Sequence, residues 1–410
     1  MEKIYIIGVG MSHFGRFLER SLADLAGDAI GEALEDCGLS REEIDAVFFA
    51  NATQGVVEGQ HSVRGQIALR QLGFPSVPVT NVENACASGS SALSLAAAHV
   101  ASGQGDVALA IGADKMNATD RDRSFAIFDG AWDVSDVAGQ IARLEELGKA
   151  MQPPARDKEP GQRSVFMDVY ASLARFHMAR FGTTQADIAR VAAKNHTHST
   201  LNPKAQYRNA MTLDEVMSAR EISWPLTLPM CAPISDGAAA AIVVSERKAK
   251  QLGLDRAIRI AASVQVSGSD RAPEDLDKHL CRRGADRAYE LSGIAPEEVS
   301  VVEVHDATAF AELQQTELLR LCPTGEGGAF VSSGATTLGG RVPVNVSGGL
   351  ESRGHPIGAT GLAQTYELVT QLRGEAGPRQ VEGARVALAE NGGGFNGYEE
   401  AAAVITLLQR

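Results

Sequence analysis

A chain of 410 residues is longer than one simple core supports, so two or three domain-sized units are expected. Its composition, 44% hydrophobic and 22% charged, is that of an ordinary globular protein, and with 5% aromatic residues it lacks stacking platforms for nucleic acid. A net charge of −13 also argues against nucleic-acid and anionic-membrane partners, so an anionic ligand requires a local basic patch.

The N-terminal "MEKIYIIGVGM" holds a short apolar run broken by glycine, with no cleavage site after it, and reads as a first strand rather than a signal peptide. No stretch approaches the ~20 apolar residues of a membrane span. Residues 32–53, "EALEDCGLSREEIDAVFFANAT", predict a helix, a turn and a buried strand. Residues 79–103, "VTNVENACASGSSALSLAAAHVASG", predict a short strand, a small-residue loop and a helix. Cys86 stands at the mouth of that helix. The helix field and free N–H groups there are expected to favour a thiolate and lower its pKa from about 8.5. A thiolate so placed takes an acyl group as a thioester. A strand follows at "DVALAIGADKM" (106–116).

Residues 117–222 differ in kind. They carry charge, histidine and breakers, as in "MQPPARDKEPGQRS" and "KNHTHSTLNPKAQYR", and read as a long functional loop insertion. "SDGAAAAIVVSE" (235–246) returns as an apolar strand. The second half then repeats the first. "RAYELSGIAPEEVSVVEVHDAT" (287–308) matches residues 32–53 at one constant offset, pairing Gly38 with Gly293 and Asn51-Ala52-Thr53 with Asp306-Ala307-Thr308. "PVNVSGGLESRGHPIGATGLAQTYELVTQLRG" (343–374) parallels the Cys86 segment, again as strand, loop and helix, and "ARVALAENGGG" (384–394) supplies a last strand. Alternating strands and helices predict βαβ units and mostly parallel sheets. The repeat puts His355, in a Pro/Gly-fixed turn, at the place Cys86 has in the first half, so His355 is expected to take the thiol proton. The five cysteines are odd in number and widely spaced, without a CxxC pair or Cys/His spacing. No zinc site within this chain is expected, and reduced cytoplasmic thiols fit better than disulfides. Cys37, Cys231, Cys281 and Cys322 read as buried and inert.

"NACASG", "SDGAAAAIVVSE", "EVHDATAF" and "GHPIGATG", in this order and spacing over nearly the whole chain, resemble the thiolase superfamily. The "HD" at 305–306 and "QLRGEAGPRQVEGARVAL" are similar to its sterol-carrier-protein branch. The resemblance implies an α/β thiolase fold: two pseudo-symmetric βαβ halves in a layered α-β-α-β-α core. The halves would be 1–116 plus 223–250, and 251–410, with 117–222 inserted. It implies an acyltransferase that makes or breaks a carbon–carbon bond next to a thioester through an acyl group on Cys86. His355 would activate the thiol and His305 would bind the thioester oxygen. Asp306 would orient its neighbours, Gly392 would supply an oxyanion N–H with that of Cys86, and Ser235 would lie near the pantetheine arm.

The chain departs from the family at one function. The second cysteine, expected either in the glycine turn or in an "HDC" motif, is replaced by Glu390 and Ala307. Glu390, in a dry pocket, is the expected substitute base. Relatives without that cysteine include lyases and acyltransferases of bulky or aromatic acyl-CoAs, several of which need a small companion subunit with a zinc ribbon and an oligonucleotide fold. Coenzyme A is then the substrate, with no permanently bound cofactor, and a homodimer is the expected assembly. The alternatives are an aldolase or acyltransferase of the same fold, a non-catalytic acyl-CoA- or lipid-binding protein, and a cysteine hydrolase.

Overall fold

In the computed structural model, which describes residues 2–154 and 163–410, nine strands form one sheet. In chain order the strands are β1 (Ile4–Met11), β2 (Ala46–Ala50), β3 (Val79–Val82), β4 (Val107–Asp114), the small hairpin β5–β6 (Glu221–Ser223 and Leu226–Thr227), β7 (Gly237–Ser245), β8 (Ile258–Ser267), β9 (Val301–Glu303), β10 (Val386–Gly393) and β11 (Ala402–Gln409). The sheet runs β3-β2-β4-β7-β1-β8-β11-β10-β9. Its two halves meet where β1 pairs with β8. β4 and β7 are buried along their whole length, which explains their unbroken apolar runs: both faces are covered.

Four helices make the layers. Leu22–Cys37 covers the outer face of the first half and Leu280–Ser292 that of the second. Ser88–Ala101 and Thr360–Arg373 lie together between the halves. The largest apolar cluster sits there, joining Val9, Leu93 and Ala110 to Leu362, Leu368 and Ala387. Small residues permit the approach. A Cβ on Gly112 would lie 2.1 Å from the Gly358 carbonyl, so the turn bearing His355 rests directly on β4.

The internal repeat is visible in the elements. Helices Leu22–Cys37 and Leu280–Ser292 both end on a left-handed glycine, Gly38 (φ 70°) and Gly293 (φ 71°), and each leads through a short 3₁₀ turn to a buried strand, β2 or β9. Two expectations are corrected. The sheet is mixed rather than mostly parallel: β2–β3, β2–β4 and β9–β10 are parallel, while β1, β7, β8 and β11 pair antiparallel. And the strand expected near 343–346 is a single bridge from Val344 to Val302, because Asn345 is left-handed (φ 53°) and breaks the extended run.

The insertion is mostly helix rather than loop, with Val137–Gly148, Val165–Phe181 and Gln185–Ser199 as its main pieces. Its polar residues cap these helices, as in the Thr184/Asp187 capping box, or turn inward, as His196 and His198 do. Its apolar faces form a core of their own with Phe310 and Leu313 of helix Ala309–Leu318. Residues 155–162, inside "MQPPARDKEPGQRS", lie outside the described residues.

Candidate active site

The site is a cavity of about 1540 Å³ at the junction of the halves, roofed by the insertion. Cys86, His305 and His355 all line it, and the Cys86 Sγ and one nitrogen of each imidazole lie within 4.8 Å of one another. Local backbone explains how each arrives. Ala85 is left-handed (φ 47°), a costly conformation for a residue with a Cβ, and its N–H is held by Glu83 at 2.6 Å. The kink turns the chain from β3 into helix Ser88–Ala101 and leaves Cys86 half-buried at the mouth.

His355 follows a buried π turn, Gly349–Arg353. Its backbone N–H donates to Ser235 Oγ at 2.9 Å, and its Nδ1 lies 2.6 Å from Thr360 Oγ1. Thr360 Oγ1 also reaches the Pro356 carbonyl (3.0 Å); with its one hydroxyl hydrogen on that carbonyl, Nδ1 carries the imidazole proton and Nε2 keeps a free lone pair. His305 lies two residues past the end of β9. Its backbone N–H donates to Glu390 Oε2 at 2.9 Å, and neither ring nitrogen has a partner although the residue is 3% exposed. The two rings meet edge to face with centroids 5.2 Å apart.

Electrostatically the resting trio is neutral. Burial lowers His305 to about 4, and burial, His305 and Arg353 hold His355 well below its usual value. The Cys86 thiol is pushed up to about 12, by burial first and then by Asp114 and Glu83, against the pull of the Gly394 and Cys86 N–H groups. The expected lowered pKa is therefore corrected. Apolar walls such as Met116 and Ile127 and two nearby carboxylates outweigh the helix amides.

The other expected residues fall differently. Gly392 is not on the cavity; a Cβ there would meet Glu400 at 2.8 Å, and the amide facing the Cys86 sulfur belongs to Gly394. Ser235 is fully buried, with its hydroxyl committed to His355 and, at 2.6 Å, to Gln206, so it braces the histidine turn rather than facing a ligand. Asp306 is also fully buried and accepts from Leu350 N–H (2.8 Å) and Asn195 Nδ2 (3.1 Å), fixing the π turn. Glu390 is fully buried behind the cavity wall. Its carboxyl is bonded to the His305 N–H and to the Cys281 thiol (3.5 Å), and burial and Glu400 raise it to about 8. β10 turns this side chain away from the cavity, where only Gly393 and Gly394 of the glycine run emerge.

Other residues around the site escaped the sequence. Asp114, at the end of β4, accepts from Thr53 Oγ1 (2.6 Å), Asn51 Nδ2 (2.7 Å) and the Gly358 N–H, tying the Cys86 half to the His355 turn. A buried acid at a strand end was a readable signal. Cys231 is buried yet lines the cavity, as do Tyr170 and Glu351. A second set of metal-ligating types, His279, Cys281 and Glu400, sits behind the wall. There His279 Nδ1 accepts the Cys281 N–H (3.2 Å), so the ring proton is on Nε2, facing Glu400.

Two similar α/β halves that close a thiol and two neutral imidazoles over one cavity define an enzyme architecture, and comparison with known proteins gives its family. Residues 4–216 match "Thiolase, N-terminal domain" and residues 263–406 match "Thiolase C-terminal domain-like". An acetyl-CoA acetyltransferase of Methanothermobacter thermautotrophicus is 36% identical over 402 residues, 97% of this chain and 98% of that one. The benzoylsuccinyl-CoA thiolase subunit BbsB of Thauera aromatica is 37% identical over 398 residues, 96% and 95% of the two chains. Sterol carrier protein 2 of Oryctolagus cuniculus is 37% identical over 417 residues, 99% of this chain and 72% of that one. Among solved structures, the Ltp2-ChsH2(DUF35) aldolase has the same fold, with a TM-score of 0.79, 24% identity and coverage of 99% and 97%. The chain belongs to the thiolase family. It is an acyltransferase of the thiolase type.

Proposed function

We propose that this protein cleaves or forms 3-oxoacyl-CoA through an acyl group carried on Cys86. The observation that carries the reading is the meeting of the Cys86 thiol with the His355 imidazole, whose Nδ1 is engaged by Thr360, so that Nε2 serves as the base. A neutral thiol and a neutral base need no resting ion pair. The proton moves to His355 as the sulfur attacks the C3 carbonyl. His305, with both ring nitrogens unpartnered, donates to one developing oxyanion, and the Gly394 and Cys86 N–H groups face the other. Collapse breaks the C2–C3 bond, leaves the acyl group from C3 onward on Cys86 and releases the C1–C2 fragment as its CoA thioester. Coenzyme A then takes the acyl group.

The walls suit a bulky or aromatic acyl group: Phe125, Phe128, Trp132, Phe166 and Tyr170 all face the cavity. Arg121 and Arg220 at its rim are the cations offered to the coenzyme A phosphates against an acidic chain. A homodimer would form by pairing of β3, an edge strand with Thr80 and Asn81 exposed and with Val63, Ile67 and Leu95 exposed on the helices beside it. No helix among the described residues is long and apolar enough to cross a membrane, in keeping with work in the cytoplasm.

The test is thiolysis of aliphatic and aromatic 3-oxoacyl-CoA by coenzyme A, read by mass spectrometry. Two acyl-CoA products per substrate are expected, with aromatic substrates favoured. Failure to form them from any of the substrates, with no adduct on Cys86, would overturn the reading. A second reading, that the carbon–carbon step needs a separate zinc-ribbon/oligonucleotide-fold subunit, is favoured by the loss of cysteine at both 307 and 390. It is favoured too by similarity to a protein named as a subunit. Adding such a subunit would then raise turnover without changing the Cys86 adduct.

A further inference from the structure

Thiolase chemistry leaves one role open in this chain: a group that protonates C2 when the carbon–carbon bond breaks and deprotonates the incoming thiol afterwards. Glu390 lies behind the wall and Ala307 has no proton to give. Glu351 stands on the cavity wall within the π turn Gly349–Arg353. Such turns recur at functional sites. The residue is 1% exposed, and neither carboxyl oxygen has a hydrogen-bond partner within 3.5 Å.

The neighbours explain that isolation. Asn195, the closest amide, gives its two hydrogens to Asp306 (3.1 Å) and Glu312 (2.9 Å). The Lys194 ammonium is held by Glu312 (2.8 Å), the Asn195 oxygen (2.7 Å) and the Val344 carbonyl (2.6 Å). Asp306 accepts from Leu350 N–H at 2.8 Å and, weakly, from the N–H of Glu351 itself at 3.5 Å. Three buried carboxyls thus gather at Asn195, whose two hydrogens go to Asp306 and Glu312. Burial, Asp306 and Glu312 hold Glu351 well above the usual carboxylate range, against the pull of Lys194 and Asn195. Its backbone is anchored to Asp306, the residue between His305 and Ala307, and it precedes His355 by one turn.

We infer that Glu351 is the catalytic acid–base residue of the carbon–carbon step. This rests on the thiolase reading above. When the C2–C3 bond breaks, its electron pair moves to C2. The Glu351 O–H gives C2 its proton, completes the released C1–C2 CoA thioester and becomes a carboxylate. Coenzyme A enters, the carboxylate takes the S–H proton, and the thiolate attacks the Cys86 thioester. The C–S bond to Cys86 breaks and the sulfur recovers its proton from His355, leaving Glu351 protonated again. Cys231 shares the cavity wall, but its thiol points to the Thr227 carbonyl (3.5 Å), and burial and Glu351 raise its pKa far beyond neutrality.

Two probes separate the steps. Benzoyl-CoA has no hydrogen on its α-carbon, so its adduct on Cys86, read by intact mass, reports acylation alone. Acetyl-CoA in D₂O reports proton transfer at the α-carbon through deuterium wash-in. E351Q is expected to accumulate the benzoyl adduct while losing wash-in by about 10²-fold or more. E351D restores part of the wash-in, and C231A keeps it. Wash-in at the parental rate in E351Q, or its loss in C231A while E351Q retains it, would overturn the assignment and leave the acyl-enzyme intact. Absence of any adduct in the parent would overturn the thiolase reading, and this inference with it.

Discussion

The two halves carry the same scaffold to opposite chemical ends. Each places a helix start at the junction. The first half turns its chain with a left-handed Ala85 and presents a thiol; the second uses a π turn and presents an imidazole. Each also carries a buried aspartate, Asp114 at the end of β4 and Asp306 three residues past β9. Asp114 reaches across to the Gly358 N–H of the other half, whereas Asp306 braces Leu350 in its own. The first aspartate sets the distance between halves and the second sets the shape of the histidine turn. Duplication alone gives symmetry; the divergence of these turns gives a nucleophile facing a base.

Breaking the comparison on the imidazole side has the largest expected effect. H355A removes the base and is expected to slow Cys86 acylation by about 10³-fold, measured as the rate of adduct formation by quenched-flow mass spectrometry. T360V removes the hydroxyl that fixes the tautomer and is expected to cost less, about tenfold, in the same assay. H305A removes the unpartnered ring nitrogens from the oxyanion site. Thiolysis should fall by about 10²–10³-fold, mainly in kcat.

On the thiol side, D114N sharpens the comparison. Asp114 raises the Cys86 pKa, so neutralising it is expected to move the pH at which iodoacetamide alkylates Cys86 downward. An upward shift would mean that the carboxylate acts on the thiol only through the fold. The smallest effect is on stability. Glu390 is raised from 4.5 to about 8, so between those values the folded protein holds a proton that the unfolded chain has lost. That contribution to stability is complete below about pH 4.5 and is lost as pH rises through about 8. Urea unfolding at pH 5, 7 and 9 is expected to show a shallower decline in E390Q than in the parent.

The repeat at Gly38 and Gly293, the alternating strands and the Cys86 and His355 turns were legible because each is local: a left-handed cap, an apolar run, a Pro/Gly turn. Strand direction was not. β7 pairs antiparallel with β1 and β4, and β8 with β1 and β11, from distant chain positions, which no local pattern encodes. The insertion looked like loop because its helices carry their polar residues as caps and inward hydrogen bonds, hiding the apolar stripe. Glu390 and Glu351 show the same limit at the site. Alignment of glycines put Glu390 where a base was wanted, but which way a strand residue points depends on the pleat, and β10 turns it behind His305. Glu351 gave one signal, a lone acid among the small residues of "VSGGLESRGHP", and only the fold shows that its carboxyl lacks a close hydrogen-bond partner.

The central claim is a covalent acyl group on one sulfur, and the most direct measurement is intact mass with peptide mapping after exposure to benzoyl-CoA or acetyl-CoA. A single acyl adduct on Cys86 in the parent, and none in C86A, is the result predicted. An adduct on another residue, or a C86A protein that turns over as fast as the parent, would contradict it.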